Sequence, residues 1–179
     1  SFQFIPKVFV PSLDKQYFTL DMWLPEGTAI EETDRYATDI AESIQEYSQT
    51  EMVSTYIGRT PPRYYLSNVS FGPQPNYAQL LVKCKTSGEA RELHALLQDS
   101  IRLKYPEPLI KVNKFELSPL TEALIEARFL GPDPAVLDSL AGVAIDIMRR
   151  NPKVTDARNE WGNMTYMIRP VYDLSLIHI

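Results

Sequence analysis

Hydrophobic and polar positions alternate from residue 18 to 24. Phe18, Leu20, Met22 and Leu24 share one face, and Thr19, Asp21 and Trp23 share the other. That period of two predicts a half-buried strand. Pro25-Glu26-Gly27 ends it, and from about 29 to 47 the period lengthens to three and four, with Ile30, Ala37, Ile40, Ala41 and Ile44 on one stripe. This is an amphipathic helix. Its acidic residues, Glu31, Glu32 and Asp34 among them, lie off the stripe and toward the positive end of the helix dipole. Thr28, with Glu31 three residues on, predicts a capping box at its start. A returning strand follows over 52–57.

The same strand–helix–strand pattern then recurs. The second unit has a strand over 77–84 and a Thr86-x-x-Glu89 capping box. Its helix stripe is Ala90, Leu93, Leu97 and Ile101, with Leu96 beside it; Pro106 and Pro108 stop the helix, and a strand follows over 109–117. The third unit opens at 123–130 and turns at Gly131-Pro132. Asp133 caps a helix with Pro134 at its first position, striped by Val136, Leu137, Leu140, Val143, Ala144 and Ile147. Asn151-Pro152 ends that helix, and short strands are expected over 154–158 and 164–171.

Two consecutive units of this kind fold as one four-stranded sheet with both helices on a single face, the ferredoxin-like or split-βαβ arrangement. The expected class is therefore α+β. Residues 1–16 are a lead-in, 17–118 a complete βαβ–βαβ subdomain, and 119–173 the first part of a second one. Residues 174–179 are a tail set apart from the fold. The third unit has half of what a second copy needs. It either packs on the first subdomain, recruits 164–171 as an extra strand, or completes itself with another chain, and its incompleteness makes the chain an expected piece of a larger protein.

The connection over 58–76 is long for a compact domain, and such connections are functional or disordered more often than not. It carries Pro61, Pro62, Pro73 and Pro75 and the aromatic residues Tyr64, Tyr65 and Phe71. It either packs its own aromatics as a proline-stiffened loop or forms a movable flap beside an apolar cleft.

Composition narrows the function classes. With 179 residues, a net charge of -5 and scattered Lys and Arg, the chain lacks the basic stripe that nucleic acid requires. Arg149-Arg150 fit the negative end of a helix dipole. Mean hydropathy is -0.22, and no apolar run reaches the roughly 20 residues of a spanning helix. The single cysteine, Cys84, reads as a small buried hydrophobe. His94 reads as a surface helix residue, and His178 falls in the tail. These residues have no metal-ligand spacing, and no nucleophile, P-loop or dinucleotide motif is present. No catalytic residue, cofactor or metal is expected. Of the five methionines, Met22 and Met148 sit at core-like positions, which argues against a thioether site for a soft metal.

The opening Phe9-Val10-Pro11 with Asp14, the strand after it, Leu24-Pro25-Glu26-Gly27-Thr28 and the helix rich in Glu and Thr resemble one transporter family closely. They look like the start of the second large periplasmic loop of resistance–nodulation–division (RND) efflux pumps, of the acriflavin-resistance (hydrophobe/amphiphile) type. The likeness covers about 4–173. Gly58 after the returning strand, Asn76 before the next one, the strand over 109–117 and the Pro132-Asp133 helix start match more loosely.

The resemblance implies the porter portion of a proton-driven multidrug exporter, with no bond chemistry of its own. It would bind hydrophobic or amphiphilic compounds in a cleft between subdomains. It implies Ile110, Val112, Phe115 and Arg158 as substrate-binding residues, Arg158 as the cation facing the cleft. It gives 58–76 the place of the switch loop, including Gly58, Tyr64, Tyr65, Phe71 and Asn76. Here Pro61-Pro62-Arg63 departs from the small and aromatic residues of the family pattern. The parent would be a homotrimer in a Gram-negative inner membrane, this portion lying in the periplasm, with a periplasmic adaptor and an outer-membrane channel as partners. Two other readings stand beside it: the porter portion of a heavy-metal RND exporter, and a stand-alone ferredoxin-like ligand-binding or regulatory module.

Overall fold

Phe18, Leu20 and Met22 vanish from solvent along one side of the first strand, β1 (Tyr17–Trp23), and the rest of the fold is arranged to cover them. The computed structural model describes residues 14–62, 72–115, 125–152, 154 and 157–171. Helix α1 (Ile30–Gln45) and strand β2 (Thr50–Ile57) follow β1, then β3 (Tyr77–Cys84), α2 (Ser87–Lys104) and β4 (Leu109–Lys114). A last helix, α3 (Pro134–Arg149), stands apart in sequence.

The four strands form one sheet in the order β2-β3-β1-β4, with every neighbouring pair antiparallel. β1 and β2 therefore run the same way with β3 between them, as a split βαβ requires. The fold is α+β and compatible with the ferredoxin-like type. Both helices cover one face: Ala37, Ile40 and Ile44 of α1 and Leu93, Leu97 and Ile101 of α2 join the strand residues in one core cluster. Cys84 is buried within it.

The alternation along β1 held for the helix side and was too modest for the other. Thr19 and Asp21 are also buried, because β1 is a central strand with neighbours on both edges. His94 is a second correction. It is 4% exposed and lies edge-on to Phe18 with ring centres 5.8 Å apart, so it belongs to the packed face of α2 and not to its surface. It sits one position beyond Leu93 on the same arc, where the start of β1 comes close.

The helix starts differ from expectation in one place. Thr86 caps α2, its hydroxyl oxygen accepting from the Glu89 amide at 3.2 Å, and Asp133 caps α3 through the Ala135 and Val136 amides. Thr28 caps nothing. Its hydroxyl donates to the Pro25 carbonyl at 2.7 Å, and Ala29 takes the N-cap position of α1 without a side-chain bond. The Pro25–Thr28 turn draws the hydroxyl backward before the helix can use it.

The third unit forms its helix and no strand among the described residues: 125–130, 154 and 157–171 have no ladder. An extended segment becomes a strand only with a partner to take its amides and carbonyls, and none pairs with these among the described residues. α3 accordingly has no buried residue; Val136, Leu140, Val143 and Ile147 stand exposed. Among the described residues no helix is long and apolar enough to cross a membrane.

Candidate functional site, the helix-free face of the sheet

α1 and α2 share one side, no helix among the described residues covers the other side of the sheet, and what that side presents follows from strand register. Lys111 and Asn113 of β4 lie opposite Asp21 and Thr19 of β1, and Gln79 of β3 lies opposite Asp21 on the other edge. Period two then places Trp23, Asp21, Tyr77, Gln79, Lys111 and Asn113 on this face.

Asp21 is the centre of it. Its Oδ1 accepts from the Tyr77 hydroxyl at 2.6 Å and from Gln79 Nε2 at 2.8 Å, and its Oδ2 accepts from Asn113 Nδ2 at 2.6 Å. The bonds tie three strands together through one carboxylate. Burial raises the Asp21 pKa above its ordinary value; the three donors and the Lys111 charge oppose that shift without cancelling it. Gln79 spends its amide nitrogen on Asp21, and its Oε1 is buried without a partner among the described residues.

Beside this polar centre, where β1 ends, lies an aromatic and cationic corner. The Trp23 and Tyr77 rings are 5.2 Å apart and tilted by 46°. The Lys111 ammonium and the Arg158 guanidinium each lie 5.7 Å from the Trp23 ring centre. Half-buried Trp23 thus packs on Tyr77 with two positive charges over its ring, a cation–π arrangement. The segment carrying Arg158 is fastened nearby: Asn163 Oδ1 accepts from the Glu26 amide at 2.7 Å, and its Nδ2 donates to the Glu26 carbonyl at 3.1 Å.

Gly58 and Asn76 close the base of the long connection at the same end. Gly58 takes φ +74, a left-handed backbone that favours glycine. Its amide donates to the Tyr77 carbonyl at 2.8 Å, and its carbonyl accepts from the Gln74 amide at 2.8 Å. Asn76 exchanges bonds with Leu24, through Nδ2 to the Leu24 carbonyl at 2.9 Å and through its own carbonyl from the Leu24 amide at 2.8 Å. Tyr64, Tyr65 and Phe71 lie outside the described residues.

The structure therefore brings Arg158, Gly58 and Asn76 to one corner and sends the other expected contacts elsewhere. Ile110 pairs with Met22 and is buried in the helix-side core, and Val112 pairs with Leu20 and packs against the same core. In this arrangement neither reaches the face opposite the helices. Their neighbours Lys111 and Asn113 lie on that face, across from Asp21 and Thr19. Phe115 is half-buried just past the Lys114–Phe18 pair, at the far end of β1 from Trp23. At about 3.3 Å per residue that is roughly 20 Å away. Asp21, Trp23, Gln79, Lys111 and Asn113 carried no expectation from sequence, although a carboxylate at the centre of an apolar strand was a visible signal.

The arrangement can bind and orient; among the described residues it holds no nucleophile paired with a base. No group of three or more His, Cys, Asp or Glu side chains suited to a metal occurs among the described residues. Comparison with known proteins gave no matching family model and no matching curated protein.

Proposed function

We propose that this chain is the periplasmic substrate-binding (porter) portion of a proton-driven RND efflux pump, taking hydrophobic or amphiphilic compounds. The observation that supports the reading best is the corner at Trp23. There Arg158, the residue that the resemblance assigns to the cleft, lies over the half-buried ring of Trp23, 5.7 Å from its centre, on the face of the sheet opposite α1 and α2. A ferredoxin-like subdomain with one face free of helices is suited to forming one wall of such a cleft. An apolar ligand would stack on Trp23, and Lys111 and Arg158 would favour those carrying negative charge. The thioethers do not decide between drug and soft-metal export, since Met22 is sealed in the core while Met52, Met164 and Met167 are exposed.

On this reading the ligand contacts are Trp23, Lys111 and Arg158, with Phe115 at the opposite end. Removing a half-buried aromatic surface costs roughly 1.5–3 kcal/mol of binding, so Trp23→Ala in the complete transporter should lower export of bulky apolar compounds about tenfold or more. Arg158→Ala should act mainly on anionic ones, and Phe115→Ala should matter less than Trp23→Ala. Drug susceptibility of cells expressing equal amounts of each variant measures all three. Unchanged susceptibility across a broad panel for Trp23→Ala and Arg158→Ala would remove this face from the substrate path. The parent gene supplies a separate check. Apolar spanning stretches should flank these residues, and their absence would favour a stand-alone ferredoxin-like binding module.

A further inference from the structure

Arg158 is exposed, and its guanidinium reaches the Trp23 ring from a segment that belongs to no ladder. A cation–π contact at an exposed site shifts an equilibrium by only about two- to fivefold, too little to hold a chain segment in place by itself. Polar ties just beyond Arg158 do more. Asn159 donates from Nδ2 to Asp138 of α3 at 3.0 Å, and its Oδ1 accepts from the Trp161 amide at 3.1 Å. Its carbonyl accepts from the Gly162 amide at 3.2 Å, closing a turn in which Gly162 takes φ +67, a left-handed backbone that favours glycine. The turn delivers Asn163 to the end of β1.

There Asn163 meets the Glu26 backbone, 137 residues away in sequence, with both ends of its side chain: Oδ1 takes the Glu26 amide and Nδ2 gives to the Glu26 carbonyl. One carboxamide thus serves the donor and the acceptor of a single residue, as an antiparallel strand would. A carboxylate could take the amide alone, and an apolar side chain neither. Glu26 lies three positions beyond Trp23, and Leu24 between them is bonded to Asn76 in both directions. The anchor is therefore fixed relative to the ring. The tie from Asn159 ends on α3, which has no buried residue, so it does not fix Arg158 relative to Trp23. The clasp on Glu26 does.

We propose that Asn163 is a positioning residue: by clasping the Glu26 backbone it holds Arg158 over Trp23. On the proposed transport reading, from which this consequence follows, Asn163 helps to set the preference of the corner for anionic ligands without touching them.

The position of Arg158 is read in the whole chain by nuclear magnetic resonance, from the ring-current shift that Trp23 imposes on the Arg158 side-chain protons. Trp23→Ala identifies that shift by abolishing it. Asn163 is exposed, so Asn163→Ala leaves the core intact. Losing two hydrogen bonds should favour the unclasped state about fivefold or more, and the Arg158 shift should fall toward its value in Trp23→Ala. The Lys111 side chain, carried by β4 over the same ring, should keep its own shift. In the complete transporter, Asn163→Ala should lower export of anionic amphiphiles as Arg158→Ala does, add nothing in the Arg158→Ala background, and spare neutral compounds of the same size. An Arg158 shift that ignores Asn163→Ala, a Lys111 shift lost with it, or an equal loss of export for neutral and anionic compounds would each overturn the proposal. If Arg158→Ala leaves export unchanged while Asn163→Ala still releases the Arg158 shift alone, the transport reading falls and the positioning role stands.

Discussion

Asp21 is a carboxylate held by a phenol and two amides on the face where no helix covers it. Removing the side chain strands three donors, and Asp21→Ala should cost about 1–3 kcal/mol in chemical denaturation. Its pH dependence is of the less usual kind. The folded carboxyl holds its proton above the ordinary aspartate value of 3.8, because burial disfavours the charge. Protonation therefore favours the folded state. The contribution is full below that ordinary value and is lost as the pH rises through the folded one. The difference in stability between the native chain and Asp21→Asn should accordingly change with pH in this window and level off above it. A difference that is flat from pH 3 to pH 7 would show that the carboxyl titrates alike in both states.

Among the elements, the two Thr-x-x-Glu sequences give an internal control. Thr86 caps α2 and Thr28 does not cap α1. Thr86→Ala should therefore lower stability by about 1 kcal/mol, and Thr28→Ala by less than about 0.5 kcal/mol. Equal losses would mean that Thr28 reaches the first turn of α1 in solution. The motif announces a possible cap. Whether the hydroxyl faces the helix is settled by the preceding turn, here Pro25–Thr28, whose carbonyl competes for the same group.

For the whole molecule, the core under the sheet and the last helix contribute unequally. Leu93 is 1% exposed beneath the sheet, and Leu140 on α3 is 44% exposed. Thermal or denaturant unfolding should show Leu93→Ala losing about 2–5 kcal/mol and Leu140→Ala changing stability by less than about 0.5 kcal/mol. A large effect at Leu140 would mean that α3 packs on the sheet in solution. In the complete transporter, by the proposed reading, the stripe of Val136, Leu140, Val143 and Ile147 has a sheet of its own to cover, and the same substitution becomes costly there.

Periodicity along the chain was sufficient for β1, α1, β2, β3, α2, β4 and α3, since each element's apolar positions repeat at its own period. Two amphipathic strand–helix–strand units in succession were enough to predict the α+β class. Sequence did not reveal which polar residues the sheet would seal. Asp21 is buried because β1 became a central strand, and His94 because α2 turned that arc toward Phe18. Nor did it reveal that Ile110 and Val112 face the helices, leaving Lys111 and Asn113 for the opposite face, since register alone decides the side. The strands expected over 123–130 and 164–171 had suitable residues, and those described took no ladder. A strand exists by virtue of its partner, which local sequence cannot supply, whereas a helix such as α3 satisfies its own backbone and forms wherever its caps and stripe allow.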